Sequence, residues 1–121
     1  KDPTVHVIAD SEACYVYVKV ENNLSGIIDD TSPAISIENQ ITGKGWTLLD
    51  GTTNVYWKSV DAANAKAGID LIVFENFTIK GETSNDMIKT YSANSIVVTA
   101  YAVQKHSFDT AKAAWDENFG S

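Results

Sequence analysis

The chain is predicted to fold as an all-β protein, a β-sandwich of about seven or more strands with a short C-terminal helix. Three observations predict it. Segments rich in β-branched and aromatic residues alternate apolar and polar positions with a period of two. Runs of Gly, Asn, Asp, Ser and Thr separate those segments. Only the last apolar stretch, Phe108, Ala111, Trp115 and Phe119, repeats at helical spacing.

Thr4-Val5-His6-Val7-Ile8 reads as a first short strand, preceded by Pro3, which cannot donate to a ladder. Ala13 to Asn22 is the clearest strand. Its Cys14, Val16, Val18 and Val20 are expected on a core face, and Tyr15, Tyr17, Lys19 and Glu21 on a wet one. Residues 23–33 read as a loop containing Gly26, Asp29, Asp30 and Pro33. Ile35, Ile37, Asn39 and Ile41 alternate with polar residues, which predicts another half-buried strand. Gly45 to Leu49 and Asn54 to Lys58 flank Asp50-Gly51-Thr52-Thr53, a hairpin with a loop of about four residues in which Gly51 supplies an unusual backbone angle. Asp61 to Gly68 is alanine-rich and reads as a brief helical turn or an irregular connection. Leu71 to Ile79 is expected as a strand and 80–85 as a polar loop. Ser95 to Gln104 is apolar on both faces, so it is expected at the centre of a sheet and covered twice. The cover expected for it is the terminal helix over 107–119, with Ser107 as N-cap and Asp109 in the first turn.

At 121 residues the chain has room for one domain, 1–121, with a core large enough to fold without staples. Its 44% hydrophobic and 21% charged residues are ordinary for a globular protein. Net charge is −7 and arginine is absent, which disfavours nucleic acid and anionic membrane surfaces as partners. No stretch approaches the roughly 20 apolar residues of a membrane-spanning helix. Cys14 is the only cysteine, so no intrachain disulfide forms, and a small core residue is its expected role. The chain opens at Lys1-Asp2-Pro3, as a processed or trimmed terminus would, and ends without a wall-anchoring Leu-Pro-x-Thr-Gly pattern.

Catalytic and metal-binding patterns are not found, so no catalytic residue, metal ligand or cofactor is assigned. His6 and His106 have no metal-ligand spacing. Asp29-Asp30 lacks the Asp-x-Asp-x-Asp-Gly frame of a calcium loop. Phosphate-binding glycine loops and nucleophile elbows are missing too. Among 16 acidic residues a chance carboxylate pair carries no weight. Three tryptophans and five tyrosines suggest one alternative. Tyr15, Tyr17, Tyr56 and Trp57 are candidate exposed aromatic contacts for a glycan or another surface, in a monomeric secreted binding module.

Several segments together resemble a known group: Lys1 to Val7, Ser11 to Val20, Gly45 to Gly51, Asn54 to Trp57, Phe74 to Ile79, Ile96 to Gln104, then Phe108 to Ala111 with Ala114-Trp115. The chain is similar to the TasA/camelysin family, proteins exported through a SipW-type signal peptidase that build surface fibres and biofilm matrix in Gram-positive bacteria. The resemblance implies a jelly-roll-like sandwich, secretion to the matrix or cell surface, and self-association into head-to-tail filaments, with other matrix proteins or glycans as further partners. It also implies that the N-terminal strand, within residues 1–10, completes a sheet of the next subunit. No zinc motif is present, so the metalloprotease activity ascribed to some members is not carried over. Thr4, Val5, His6, Val7 and Ile8 are therefore the candidate donor strand. Sheet edges leave N–H and C=O groups that a strand from another chain satisfies, and a contact that does not close generates filaments. Pairing of residues 4–8 within their own subunit is the competing arrangement.

Overall fold

A computed structural model describes residues 3–22, 36–75, 96–105 and 108–119. The described residues form six strands in two antiparallel sheets, with three short helices. In chain order these are β1 (Thr4–Val7), β2 (Cys14–Asn22), α1 (Ile37–Gly43), β3 (Thr47–Leu48), β4 (Val55–Val60), α2 (Ala62–Ala67), β5 (Ile69–Ile72), β6 (Ile96–Gln104) and α3 (Ala111–Asn118). The larger sheet has the order β3-β4-β2-β6, and β1 pairs with β5 in the smaller one.

The inward side chains of β2, Cys14, Val16, Val18 and Val20, form one apolar cluster with Leu71, Val73 and Phe74 from β5 and its continuation. Val5 and Val7 of β1 pack against that cluster from the margin. Val16 and Val18 are almost fully buried, and burial of each contributes about 1.5–3 kcal/mol. The same cluster takes in Ile37, Ile41, Trp46 and Tyr56, so α1 and the β3–β4 hairpin close one end of it. The Trp46 indole N–H donates to the Ile72 carbonyl at 2.9 Å, which ties the hairpin to β5.

Several expectations hold. The hairpin forms with Thr47 opposite Trp57 and Leu48 opposite Tyr56, and Gly51 sits at φ 84°. The alanine-rich connection is a helix, α2, whose N-cap Asp61 accepts from the Asn64 N–H at 2.8 Å. Gly68 ends it at φ 85°. A Cβ there would lie 3.1 Å from the Ala9 nitrogen and 3.3 Å from the Val7 carbonyl oxygen, so only glycine lets the two chain segments touch.

Others are corrected. Residues 37–41, expected as a strand, are helical in α1. Ile37 and Ile41 stand four apart, a spacing that satisfies both a period of two and one face of a helix. The Ser36 hydroxyl decides the matter by accepting from the Asn39 N–H at 3.1 Å, an N-cap, with Glu38 in the first turn. Ile35 lies outside the described residues. β5 is shorter than expected, ending at Ile72, and the expected extension from Asn76 to Ile79 lies outside the described residues. β6 is not central among the described strands. β2 holds that place, paired with β4 on one side and β6 on the other. The last helix is shorter than 107–119. Its N-cap is Thr110, whose hydroxyl accepts from the Ala113 N–H at 3.1 Å. Asp109 thus precedes the helix, and Ser107 lies outside the described residues.

Candidate functional site

The expected donor strand lies at the margin of the molecule. Thr4 to Val7 form β1, which pairs with β5 of the same chain, Val5 opposite Leu71 and His6 opposite Asp70. The pairing is extended at both ends by backbone bonds: Val73 N–H to the Pro3 carbonyl at 2.9 Å, Asp10 N–H to Lys66 at 2.8 Å, and Ser11 N–H to Ala65 at 3.1 Å. On the outer surface His6 Nδ1 and Asp70 Oδ1 stand 2.7 Å apart. Ile8, expected within the strand, falls beyond it and is 78% exposed, because the chain turns there toward Asp10 at φ 67°.

Beside β1 runs an open cleft of about 560 Å³, continued toward Pro3 by a second of about 370 Å³. One wall is β1. The other is the inward face of β6, where Val98, Ala100 and Ala102 stand, with Val16 and Cys14 at the floor. Ala100 and Ala102 are exposed although they point to the side of the sheet that elsewhere carries the core. Among the described residues β1 pairs only with β5, and β6 only with β2. The cleft thus lies between β1 and β6, lined by aliphatic side chains together with His6, Asp10, Ser11, Glu12 and Gln104.

Cys14 is buried at the foot of this cleft. Burial pushes its thiol up, opposed more weakly by the charge of Lys105. A thiol held neutral in this way is a poor nucleophile. His106, Asp29 and Asp30 lie outside the described residues. Among the described residues, no three His, Cys, Asp or Glu side chains converge as a metal site would require.

The proposed aromatic contacts are corrected by their burial. Tyr15 and Tyr17 are not on a wet face. They lie under α3 in a second apolar cluster with Leu49, Val55, Ala111 and Ala114. Tyr17 has no exposed surface, and its hydroxyl donates to the Ala111 carbonyl at 2.7 Å. Burial, then the neighbouring Tyr15 and Asp116, push that hydroxyl up to about 12. Tyr56 faces the other cluster, with its hydroxyl raised by burial and by the Glu38 carboxylate. Trp57 alone of the four is partly exposed, edge-on to Tyr15 with ring centroids 6.1 Å apart. The reason is the cover that α3 provides. Trp115 lies 5.0 Å from Tyr17 and 5.2 Å from Tyr101, and Phe119 stacks 4.8 Å from Trp115. The helix thus shields β2 and β6 together.

Sequence reasoning placed β1 but missed its setting. Asp70 and Gly68 are the residues that hold it; Gly68 reads as the end of the alanine-rich connection, and Asp70 falls between that connection and the strand expected from Leu71. The signal available was small: a lone charged residue in an apolar strand opposite a strand carrying His6, and a glycine immediately before it. No helix among the described residues is long and apolar enough to cross a membrane. Comparison with models of protein families, with curated proteins and with solved structures finds no match to this chain.

Proposed function

We propose that this protein is a non-enzymatic, structural subunit of an extracellular filament or matrix fibre, a jelly-roll-like sandwich of the TasA/camelysin type joined by exchange of β1 between copies. The observation that carries this reading is the marginal position of β1. It belongs to a two-stranded sheet of its own with β5, and its other edge borders the cleft. Its attachment is mostly backbone ladder, which any copy of the same chain offers equally well. Withdrawal of β1 leaves the four-stranded sheet and the α3 cluster intact.

In the exchanged form β1 of one copy ladders to β5 of the next, with the register seen here and with His6 again beside Asp70. Glu12 and Ala13, between the last backbone bond of this segment and β2, act as the hinge. Contacts within the exchanged segment are conserved, so the free-energy difference between monomer and polymer rests on the hinge and on new contacts between copies. A head-to-tail handover leaves one unfilled β5 at the end of every chain of subunits, so growth continues.

A reversible lock tests this. His6 and Asp70 are directly opposed, at a Cα separation compatible with a disulfide. In a Cys14→Ala background, His6→Cys with Asp70→Cys is oxidised as a monomer and examined by negative-stain microscopy. The expected result is a folded monomer that forms no filaments until reductant is added. Oxidation after assembly is expected to link copies into a ladder on a denaturing gel. Filaments of unchanged form from the oxidised monomer would end the strand-exchange reading, and no filaments from the reduced chain at any concentration would end the structural-subunit reading.

A further inference from the structure

We propose that Asp50–Gly51 is a self-modification site, at which the aspartate isomerises to isoaspartate through a succinimide with the Lys112 ammonium assisting. The two residues form the exposed tip of the β3–β4 hairpin. Succinimide closure needs the nitrogen of the following residue to reach the aspartate Cγ, and glycine is the least hindered residue in that position. Both groups must also be unengaged. Among the described residues neither the Asp50 carboxylate nor the Gly51 N–H has a hydrogen-bond or ion-pair partner.

The reaction balances without a co-reactant beyond water. The Gly51 nitrogen bonds to Cγ of the protonated Asp50 carboxyl, whose hydroxyl leaves as water with the amide proton. Water then adds to the Asp50 main-chain carbonyl carbon and breaks its bond to the nitrogen. The main chain now runs through the side-chain methylene, and the former α-carbonyl has become the free carboxylate. Negative charge develops on the nitrogen and on the oxygens at Cγ during closure. A Cβ built on Gly51 would lie 3.8 Å from Lys112 Nζ, so a positive charge from α3 stands near the Gly51 backbone, on whose nitrogen part of that charge develops. Lys112 also pairs with Asp116 at 2.8 Å, an exposed pair that leaves its position soft.

Other aspartates in the chain serve as internal comparisons. Asp10 precedes the small Ser11, but the Ser11 N–H is committed to the Ala65 carbonyl. The Asp61 carboxylate caps α2, and that of Asp70 meets His6. Isomerisation at position 50 has a structural consequence. The turn is closed by Leu49 N–H to Val55 at 2.8 Å and by the Thr52 hydroxyl to Leu49 at 2.8 Å. Leu49 and Val55 are buried against α3. An extra methylene in the main chain shifts this turn where the helix rests on it.

The purified full chain is held for several weeks at mildly acidic pH and physiological temperature, then digested and mapped with electron-transfer fragmentation, which distinguishes isoaspartate from aspartate. Isoaspartate is expected at position 50 at several-fold the level found at Asp10, together with a transient peptide lighter by one water. Asp50→Glu, whose ring would have six members, is expected to abolish it, and the exposed Lys112→Met to slow it several-fold. Position 50 reacting no faster than Asp10 in the folded wild-type chain overturns the site. An unchanged rate in a Lys112→Met chain of native circular dichroism overturns the assistance.

Discussion

The two flanks of β2 and β6 are covered in different ways. On one side α3 lays Trp115 and Phe119 over Tyr17 and Tyr101, and the Tyr17 hydroxyl bolts β2 to the first turn of the helix. On the other, β1 and β5 approach with small aliphatic side chains and leave the cleft along β6 open. The first cover is made of side chains fitted to particular neighbours, so no other segment replaces it without loss. In the second, β5 is packed into the core through Leu71 and its continuation through Val73 and Phe74, while β1 ladders to β5 with Val5 and Val7 only partly buried, and a backbone ladder is the same in every copy. Cohesion by side-chain fit makes a fixed part, and cohesion by ladder makes an exchangeable one.

The sharpest way to break this contrast is to remove the aromatic centre of the fixed side. Trp115→Ala deletes the ring that touches Tyr17, Tyr101 and Phe119. It is expected to cost about 4 kcal/mol, read as a lower urea midpoint, with α3 amides exchanging early and the β1–β5 amides unaffected at low denaturant. Loss of protection at both flanks together would show that the two covers are one unit.

A smaller effect is expected from pH. The folded state holds the Tyr17 hydroxyl neutral up to about 12, whereas an unfolded tyrosine ionises near its ordinary value of 10. Between those two values the unfolded chain binds fewer protons than the folded one, so stability falls as pH rises. The full loss is about 3 kcal/mol. Alkaline titration followed by tryptophan fluorescence is expected to show α3 departing in that window, and Tyr17→Phe is expected to remove the step.

The mildest change sharpens the other flank. Gly68→Ala puts a methyl group 3.1 Å from the Ala9 nitrogen at a residue with φ 85°, at a cost of about 1–2 kcal/mol. Hydrogen exchange is expected to quicken in β1 and β5 while α3 keeps its protection. If strand exchange joins copies, the same substitution weakens filaments and monomers alike, since both use this contact.

Much of the fold was legible where one pattern had one reading. The β3–β4 hairpin followed from Asp50-Gly51 between apolar runs, and the terminal helix from the spacing of Phe108, Ala111, Trp115 and Phe119. Reading failed where a local pattern was ambiguous or where the deciding partner was distant. Ile37 and Ile41 fit a strand and a helix equally, and only the Ser36 cap separates them. Tyr15 and Tyr17 alternate with valines as outward residues should, yet the helix that buries them arrives more than ninety residues later. Tyrosine is ambiguous in this respect because its hydroxyl suits water and a buried carbonyl alike. From sequence β6 reads as central because it is apolar on both faces. Its inward alanines instead meet an open cleft, and an apolar residue does not announce whether its partner is present. For the candidate site, β1 was visible from its position and alternation, but the cleft is made by β6 and β1 jointly and has no signature in either segment alone.

The single thiol gives the protein a built-in gauge. Cys14 begins the central strand, buried, at the foot of the cleft between β1 and β6. A thiol reagent must wait for that seam to part before it reacts, and no second thiol competes for it. Its labelling rate in the native protein therefore times the breathing of this seam, separately from any loosening beneath the helix.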